Sequence, residues 1–397
     1  MPLLRRCFYP LLVILLVISP LLTGCDIPRV SAEDRLFLNL SVDFLGEYQL
    51  PKLDFEGAPV GGISAIAYDV NRDRLYALSD DHSRLAPARF YTLKLNLDTH
   101  LDTHLDTSGQ PHPKIRDIEV EKVTLLKQAN GEPYLADTID PEGIALSPRQ
   151  TVFITSEGVS KTGSPPFIGE YTLETGQLQS YLQLPERYLP DPSTEQTKGV
   201  QANLGLESLT LNTSSATSTW VEPFRLFTAT ESALLQDLDE DPAIPPKNRF
   251  LHYLIGEDQS TLIAEYLYPM ELAPFGAIFN GLTELMTLDQ GGHFLGLERA
   301  FGLKGFSIKL FQLATGAATD ISTYPSLKGD TGGIAPIRKR LLLDLESLDI
   351  PLDNLEGVTR GPKLPDGDCS LLLVSDDNFN PNQVTQFMLF RLKGIKF

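Results

Sequence analysis

Two short stretches near the end of the chain decide the fold: Leu355-Glu356-Gly357-Val358 and Ser375-Asp376-Asp377-Asn378. The first predicts a strand that opens on an acid. The apolar run at residues 371–374 predicts a second strand, which ends on two acids. In an antiparallel hairpin, the start of one strand and the end of the other lie at the same end. The two stretches therefore predict a hairpin with its acids gathered at one end.

The same pattern, with an acid or a hydroxyl at both positions, occurs four more times upstream. The four pairs are Gly62-Ile63-Ser64-Ala65 with Leu78-Ser79-Asp80-Asp81, Glu142-Gly143-Ile144-Ala145 with Ile154-Thr155-Ser156-Glu157, Leu206-Glu207-Ser208-Leu209 with Thr228-Ala229-Thr230-Glu231, and Leu282-Thr283-Glu284-Leu285 with Leu295-Gly296-Leu297-Glu298-Arg299. Positions 64, 142, 207, 284 and 356 are 78, 65, 77 and 72 residues apart. A recurring unit of this kind indicates a repeat architecture.

Short strands that cannot bury both faces alone must stack on their neighbours, and radial stacking gives a β-propeller around a central channel. We therefore predict an all-β propeller of five or six blades, with the acids at one mouth of the channel. A sixth blade would lie between residues 249 and 268. Residues 36–50 predict a strand that completes the last blade. No segment shows a sustained helical period, so we expect helices to be few and short.

The first residues have the features of a targeting segment. Arg5 and Arg6 precede an apolar run at residues 11–18, which is too short for a comfortable membrane span, and Leu22-Thr23-Gly24-Cys25 follows. This order predicts a lipoprotein signal peptide at residues 1–24, lipidation of Cys25 and a tether at residues 25–35, with the propeller at residues 36–397. The alternative is an ordinary cleaved signal with an incidental cysteine. Lipidation would place the chain in the cell envelope, facing the periplasm or the exterior.

The formal net charge is −19, which argues against a nucleic-acid partner because nucleic acids are bound by basic surfaces. It is compatible with cationic ligands. Cys369 is the single cysteine outside the signal and the anchor, so the domain has no internal disulfide, and we expect Cys369 to be buried. We expect the protein to be a monomer.

Hard oxygen ligands that converge on one place suit Ca²⁺, and without a cation so many carboxylates would repel each other. The predicted metal ligands are Asp80, Asp81, Glu142, Glu157, Glu207, Glu231, Glu356, Asp376 and Asp377. The predicted catalytic residues are Asp80, Glu207, Glu298, Arg299, Glu356, Asp376 and Asp377. Glu284 is a weaker candidate, since it is shifted by one position relative to Glu207. In the alternative interpretation, these acids bond to the backbones of adjacent hairpins and hold the blades together.

A bound divalent ion acts as a Lewis acid and lowers the pKa of a bound water, which favours hydrolysis of an ester or a phosphate ester. Arg299 would bind a phosphate or neutralise developing negative charge. The sequence contains no G-x-S-x-G elbow and no H-E-x-x-H zinc pattern. His82 is the one histidine at the acid-bearing end of a predicted hairpin. It is either a general base or a surface residue without a catalytic role.

These mouth motifs resemble those of the family described as having the esterase-like activity of phytase. The resemblance rests on Gly62-Ile63-Ser64 with Ala77-Leu78-Ser79-Asp80, Asp140-Pro141-Glu142-Gly143-Ile144, Asn203-Leu204-Gly205-Leu206-Glu207, Leu297-Glu298-Arg299, Asp353-Asn354-Leu355-Glu356-Gly357, Ser375-Asp376-Asp377-Asn378-Phe379, residues 338–345 and residues 383–386. It covers about residues 44–392. It implies a propeller-like scaffold and hydrolysis of esters or phytate. The chain departs from the family at Asp81-His82, where Asp-Arg is expected.

Two hypotheses follow. In the first, the chain is a lipid-anchored Ca²⁺-binding propeller that hydrolyses a small-molecule ester or phosphate ester outside the cytoplasm. In the second, it is a non-catalytic propeller that binds an envelope protein or a glycan, and its cation is structural. A catalytic metal keeps an open coordination position, whereas a structural one is closed.

Overall fold

A computed structural model describes residues 34–98, 113–191, 196–212, 222–241, 243–274, 276–288 and 291–395. The chain divides into two compact units, Met1–Phe37 and Leu38–Phe397. The first unit is described only from residue 34 onward, where a 3-10 helix spans Asp34–Leu36. The predicted signal peptide and its Cys25 lie outside the described residues. Every strand in the described part of the chain belongs to the second unit.

The second unit consists of five four-stranded antiparallel sheets and one small hairpin. Blade 1 contains β4 (Ile63–Asp69), β5 (Arg74–Ser79), β6 (Arg89–Asp98) and β7 (Lys114–Leu125). Blade 2 contains β8 (Pro141–Leu146), β9 (Thr151–Ser156), β10 (Phe167–Thr172) and β11 (Leu178–Leu182). Blade 3 contains β12 (Leu206–Asn212), β13 (Phe224–Thr230), β14 (Lys247–Ile255) and β15 (Ser260–Pro269).

Blade 4 contains β16 (Ala277–Thr287), β17 (His293–Gly302), β18 (Gly305–Ala314) and β19 (Arg338–Asp344). Blade 5 contains β20 (Asn354–Arg360), β21 (Cys369–Asp376), β22 (Thr385–Lys393) and β1 (Ser41–Leu50). The small hairpin pairs β2 (Leu53–Phe55) with β3 (Ala58–Val60). Three further 3-10 helices in the described residues span Glu186–Tyr188, Leu235–Asp237 and Leu345–Leu348. No helix in the described residues is both long and apolar enough to span a bilayer.

The first strand of each blade, namely β4, β8, β12, β16 and β20, contacts the first strand of the next blade, so these strands form a closed inner ring. The prediction of an all-β propeller is confirmed, with five blades. The segment considered for a sixth blade instead forms β14 and β15 of blade 3. The ring closes as predicted, because β1 pairs with β22 along its whole length, from Ser41 with Lys393 to Leu50 with Thr385.

The strands are held by apolar packing between neighbouring blades. Between blades 3 and 4, the ring of Phe227 lies 4.8 Å from that of Phe294, and Phe250 lies 5.2 Å from Phe294. Such edge-to-face pairs add to the energy of apolar burial. The predicted burial of Cys369 is confirmed, since it packs in the apolar cluster between blades 4 and 5.

All five inner strands share a local irregularity, which lies near the first residues of β4, β8, β12 and β20 and in the middle of β16. Each pairs with its neighbour through a β-bulge, between Ile63 and Ala65 in blade 1, and at the corresponding place in the other four blades. A bulge adds a residue on one strand and redirects a side chain. The extra position is occupied by Ser64, Glu142 with Gly143, Glu207, Thr283 and Glu356. The bulges therefore set where this polar side chain of each hairpin points, an acid in three blades and a hydroxyl in two.

Candidate active site at the acidic mouth

Two structurally equivalent positions recur in every blade at one end of the inner ring. The bulge position, on the first strand, carries three acids and two hydroxyls: Ser64, Glu142, Glu207, Thr283 and Glu356. The second position lies at the end of the next strand of the same blade. In blade 1, Ile63, which precedes the bulge, pairs with Ser79, and Asp80 follows Ser79. It carries four acids and one arginine: Asp80, Glu157, Glu231, Arg299 and Asp376. Seven acids from blades 1, 2, 3 and 5 and one arginine from blade 4 therefore lie at one mouth.

These eight residues line a single cavity of about 350 Å³. The cavity is also lined by residues of the adjoining loops, on which Asp140 and His82 lie near blades 1 and 2, and Phe379 near blade 5. Glu157, Glu231 and Asp376 are almost completely buried, with 4%, 3% and 1% of their surface exposed. The mouth is thus a recess that shields its carboxylates from bulk water.

The five bulge positions form one ring of side chains and the five second positions form another. Burial raises the pKa of every acid in these two rings, and repulsion from neighbouring carboxylates adds to the effect for most of them. For Asp80, the repelling neighbours include Asp376 and Glu356. For Glu142, they include Glu207 and Asp140. Burial raises the pKa of Glu356 to about 7, although Arg299 opposes the shift. Deprotonating all seven acids is therefore unfavourable in the folded mouth unless further positive charge is present.

Arg299 is the one basic residue in the two rings, and its position in blade 4 is that of an acid in the other blades. Its Nη1 donates to Asn354 Oδ1 at 2.7 Å and also to Glu356, and its Nη2 donates to Glu231 Oε1 at 3.0 Å. Burial lowers the pKa of Arg299, but the surrounding carboxylates outweigh this and raise it. Arg299 thus connects blades 3, 4 and 5 and neutralises part of the charge at their side of the mouth.

Three other predicted site residues, Asp81, Glu298 and Asp377, directly follow or precede one of these positions, and their carboxylates accept hydrogen bonds from groups outside the two sets. Asp81 touches the rim of the cavity, but its carboxylate accepts from the buried Arg89 at 2.7 Å and from the amides of residues 84–86. Burial raises the pKa of Asp81, and these hydrogen bonds outweigh it and lower the pKa. The structure thus gives Asp81 a role in holding its loop.

Glu298 and Asp377 do not line the cavity. Glu298 accepts from Tyr268 of blade 3 at 2.7 Å and from Lys339 of blade 4 at 2.5 Å, so it bonds between these two blades. Asp377 accepts from the amides of Gly62 at 2.9 Å and Phe379 at 3.1 Å, and ties blade 5 to blade 1. The structure therefore does not bring these two predicted residues to the other acids.

Glu284 is also engaged elsewhere, because the bulge position of blade 4 belongs to Thr283. The buried Glu284 carboxylate accepts from the amide of Leu209 in blade 3 at 3.0 Å and from its own neighbour Leu285. This is the blade-to-blade bond of the alternative interpretation. Glu157 makes such a bond as well, to the amide of Gly205 at 2.5 Å, but also lines the cavity.

Asp140 and His82 were not predicted to act together, yet they meet in the cavity, with His82 Nε2 2.9 Å from Asp140 Oδ1. His82 occupies the place where the family resemblance led us to expect an arginine. Asp140 immediately precedes the inner strand of blade 2, and the motif Asp140-Pro141-Glu142 was the available sequence signal. The pairing with His82 could not be read from the sequence, because 58 positions separate the two residues.

The acids near blades 2 and 3 suit a cation. Ligand oxygens of Asp140, Glu142 and Glu157 all lie within 4.8 Å of one another, and so do those of Glu157, Glu207 and Glu231. Oxygens that share one Ca²⁺ lie at about 2.3–2.6 Å from it, so spacings up to about 5 Å fit a common ion. The carboxylate of Glu142 faces other acids, because Glu207, Asp140 and Glu157 all repel it and raise its pKa. The donor set is hard oxygen throughout, as Ca²⁺ prefers.

A family model described as "Phytase-like: Esterase-like activity of phytase" matches residues 58–379, which include both ring positions of all five blades. The chain belongs to the phytase-like family. A search among curated proteins finds no match for this phytase-like chain.

Distant likenesses to solved structures exist as well. The endo-arabinase from Bacteroides thetaiotaomicron is 11% identical, with a TM-score of 0.41 over 88% of this chain and 98% of that one. A hypothetical protein from Leishmania major is 10% identical, with a TM-score of 0.40 over 89% and 91%. The catalytic domain of the GH62 alpha-L-arabinofuranosidase from Coprinopsis cinerea is 11% identical, with a TM-score of 0.36 over 90% and 98%.

Proposed function

We propose that this phytase-like chain is a hydrolase of ester or phosphate ester bonds that works with a divalent cation, Ca²⁺, at the acidic mouth. One observation carries the proposal: seven carboxylates and one guanidinium from five blades line a single recess of about 350 Å³. Buried carboxylates that face one another are costly unless a positive ion balances them. The family description, which names an esterase-like activity, supports the same reaction class.

The residues divide into two sides. Asp140, Glu142, Glu157, Glu207 and Glu231 have the spacing to hold the ion. When bound, a divalent ion supplies Lewis-acid polarisation of an ester or phosphoryl oxygen and lowers the pKa of a water. On the other side, Arg299 is held by Asn354, Glu356 and Glu231 and orients an anionic group of the substrate. Glu356 bonds to Arg299, and Asp376 and Asp80 lie within electrostatic reach of Glu356; these three carboxyl groups exchange protons with the attacking water and the leaving group.

The experiment compares the hydrolysis of p-nitrophenyl butyrate and p-nitrophenyl phosphate in Ca²⁺ and in EDTA. Glu157 belongs to both of the acid groups that could hold an ion, so Glu157→Gln removes a shared ligand. We expect this variant to lower kcat/KM by about 100-fold, which is typical when a group that stabilises charge in the transition state is lost. The control Glu257→Gln removes one exposed charge from a turn of blade 3 and should leave the rate unchanged. Turnover that is equal in EDTA and Ca²⁺, or equal in the two variants, would refute the cation-dependent mechanism.

A second candidate function is a non-catalytic propeller with a structural cation. It is favoured by the bonds that cavity residues make between blades, such as Glu157 to Gly205 and Arg299 to Glu231. In that case, EDTA would lower the melting temperature while neither p-nitrophenyl substrate is turned over under any condition. Binding of an envelope protein or a glycan would then be the function to pursue.

We also propose that the chain is anchored in the cell envelope through a lipid on Cys25. The support is the order of charge, apolar run and Leu22-Thr23-Gly24-Cys25 in the sequence. Expression of Cys25→Ser in a bacterial host should move the protein from the membrane fraction to the soluble fraction and abolish labelling by radioactive palmitate. Equal labelling of the two forms would contradict this proposal.

A further inference from the structure

His82 lines the acidic mouth but belongs to neither of its two rings. Its Nε2 lies 2.9 Å from Oδ1 of Asp140. Asp140 is in turn one of three acids, with Glu142 and Glu157, whose ligand oxygens lie within 4.8 Å of one another. The side chains of His82 and Asp140 are 22% and 4% exposed, so their contact is largely shielded from solvent. His82 therefore bonds to an acid of the proposed cation site.

The surroundings of the imidazole ring define the direction of this bond. An ionised carboxylate only accepts hydrogen bonds, so the proton between His82 and Asp140 belongs to Nε2. The other ring nitrogen, Nδ1, is buried and has no hydrogen-bond partner in the described part of the chain, and its distance to Asp137 Oδ1 is 3.9 Å. Because Nδ1 is covered, the ring offers no free nitrogen to a substrate in the mouth. His82 acts on the mouth through Asp140.

The main chain holds both members of the pair in place. The carbonyl of His82 accepts from the amide of Asp137 at 2.8 Å, on the loop that leads to Asp140. The amide of Asp140 donates to Ser156 Oγ at 3.1 Å, and its carbonyl accepts from the amide of Glu157 at 3.1 Å. The freedom that remains to the Asp140 carboxylate is rotation of its side chain, which the bond from His82 restricts.

The orientation of Asp140 matters because this acid adds negative charge to a crowded place. Its repulsion contributes to the raised pKa values of Glu142, Glu157 and Asp80. A carboxylate has two oxygens, so Asp140 can accept from His82 through one of them and still offer the other to an ion. Hydrogen bonds from outside the ligand set orient metal ligands, and their loss typically costs about 10–100-fold in metal affinity.

We propose that His82 is a positioning residue of the cation site: its Nε2–H holds Asp140 so that this carboxylate faces the ion together with Glu142 and Glu157. This role rests on the proposed hydrolase function and its cation. It differs from both roles that the sequence suggested for His82, a general base and a surface residue without a catalytic role.

The test measures Ca²⁺ affinity by calorimetry in two matched variants. His82→Gln keeps an N–H donor on the side chain, whereas His82→Leu removes it. We expect His82→Leu to raise the dissociation constant by about 10–100-fold and His82→Gln to recover most of the affinity. The control His252→Leu removes a histidine that stacks on Phe227 and does not line the mouth, so its affinity should equal that of the wild type. Thermal melts in EDTA check that each variant is folded.

A double-mutant cycle tests whether His82 acts through Asp140. Asp140→Ala removes the carboxylate, so adding His82→Leu to this variant should leave the Ca²⁺ affinity nearly unchanged. If the losses from the two substitutions add in full, the positioning role is wrong.

Turnover separates positioning from direct catalysis. His82→Leu should recover the wild-type kcat at saturating Ca²⁺, because its defect lies in binding the ion. A loss of kcat that persists there, or equal Ca²⁺ affinity in the wild type and His82→Leu, would overturn the positioning role. Affinities that differ as expected, without turnover of any ester, would end the hydrolase proposal and support the role of His82. A wild type that binds no Ca²⁺ would end both.

Discussion

Two buried charge clusters of this molecule differ in their balance. In blade 3, Arg249 is fully buried and binds Asp237 at 2.7 Å and Glu265 at 3.2 Å, and Arg187 also binds Glu265. That cluster has two arginines and two acids. The acidic mouth has seven ring acids around Arg299. A balanced cluster is complete as folded, because each charge has its partner, whereas in the mouth we propose that a bound cation supplies the missing positive charge. We therefore assign the balanced cluster to the stability of the fold and the acidic mouth to the proposed function.

Breaking the balanced cluster should have the largest effect. Arg249→Leu leaves Asp237 and Glu265 buried with fewer partners, so we expect the free energy of unfolding to fall by about 3–5 kcal/mol. Urea denaturation measures this change, and Ca²⁺ should not restore it. Recovery of the loss on addition of Ca²⁺ would show that the two clusters do not differ as described.

The arginine of the mouth is predicted to matter for the reaction more than for the fold. Arg299→Met should lower kcat by about 100-fold or more, as for the loss of a group that stabilises developing charge. Because Arg299 opposes the repulsion among Glu231 and Glu356, the variant should also be destabilised in EDTA and largely recovered in Ca²⁺. A variant with normal kcat would remove Arg299 from the mechanism.

Calcium should stabilise the protein by an amount that depends on its concentration. At 100 times the dissociation constant, the gain in unfolding free energy is about 2.7 kcal/mol for one site. Glu207→Gln removes one candidate ligand and should reduce this gain, whereas the exposed Glu257→Gln should keep it. Thermal melts over a range of Ca²⁺ concentrations provide the measurement; a gain that is identical in both variants would argue against the mouth as the site.

The smallest effect is expected from pH, and its sign depends on the cation. The ring acids have raised pKa values, about 7 for Glu356. At pH values between the ordinary carboxyl pKa and about 7, the folded state therefore binds more protons than the unfolded state. In EDTA, stability should therefore rise by a few degrees of melting temperature as pH falls from about 8 to 6. In Ca²⁺ the dependence should flatten or reverse, since the ion requires deprotonated ligands. The same slope in both buffers would contradict a shared site.

The architecture could be predicted from the sequence because the information is local and repeated. Five hairpins with the same ends indicate a ring, and antiparallel pairing alone places their acids at one mouth. The strand over residues 36–50 was also visible, and its pairing with β22 confirms the predicted closure. The number of blades needed the structure, since β14 and β15 have no mouth motif of their own.

The site could be predicted only in part, and the errors have one cause. Sequence adjacency suggested that Asp80 acts with Asp81, and Asp376 with Asp377, but the carboxylate of Asp81 binds Arg89 and that of Asp377 binds the amides of Gly62 and Phe379. The sequence does not reveal the bulges either. In blade 4 the bulge is occupied by Thr283, which explains why Glu284 is shifted by one position. The contact of His82 with Asp140 depends on long-range packing, which no local pattern reports.

The most direct test of the central claim is a crystal structure of the protein grown with Ca²⁺, with anomalous difference maps to locate the ion. We predict a peak in the acidic mouth, at about 2.3–2.6 Å from carboxylate oxygens that include Glu157. An empty mouth at saturating Ca²⁺, with its carboxyl groups hydrogen-bonded to one another, would contradict the account.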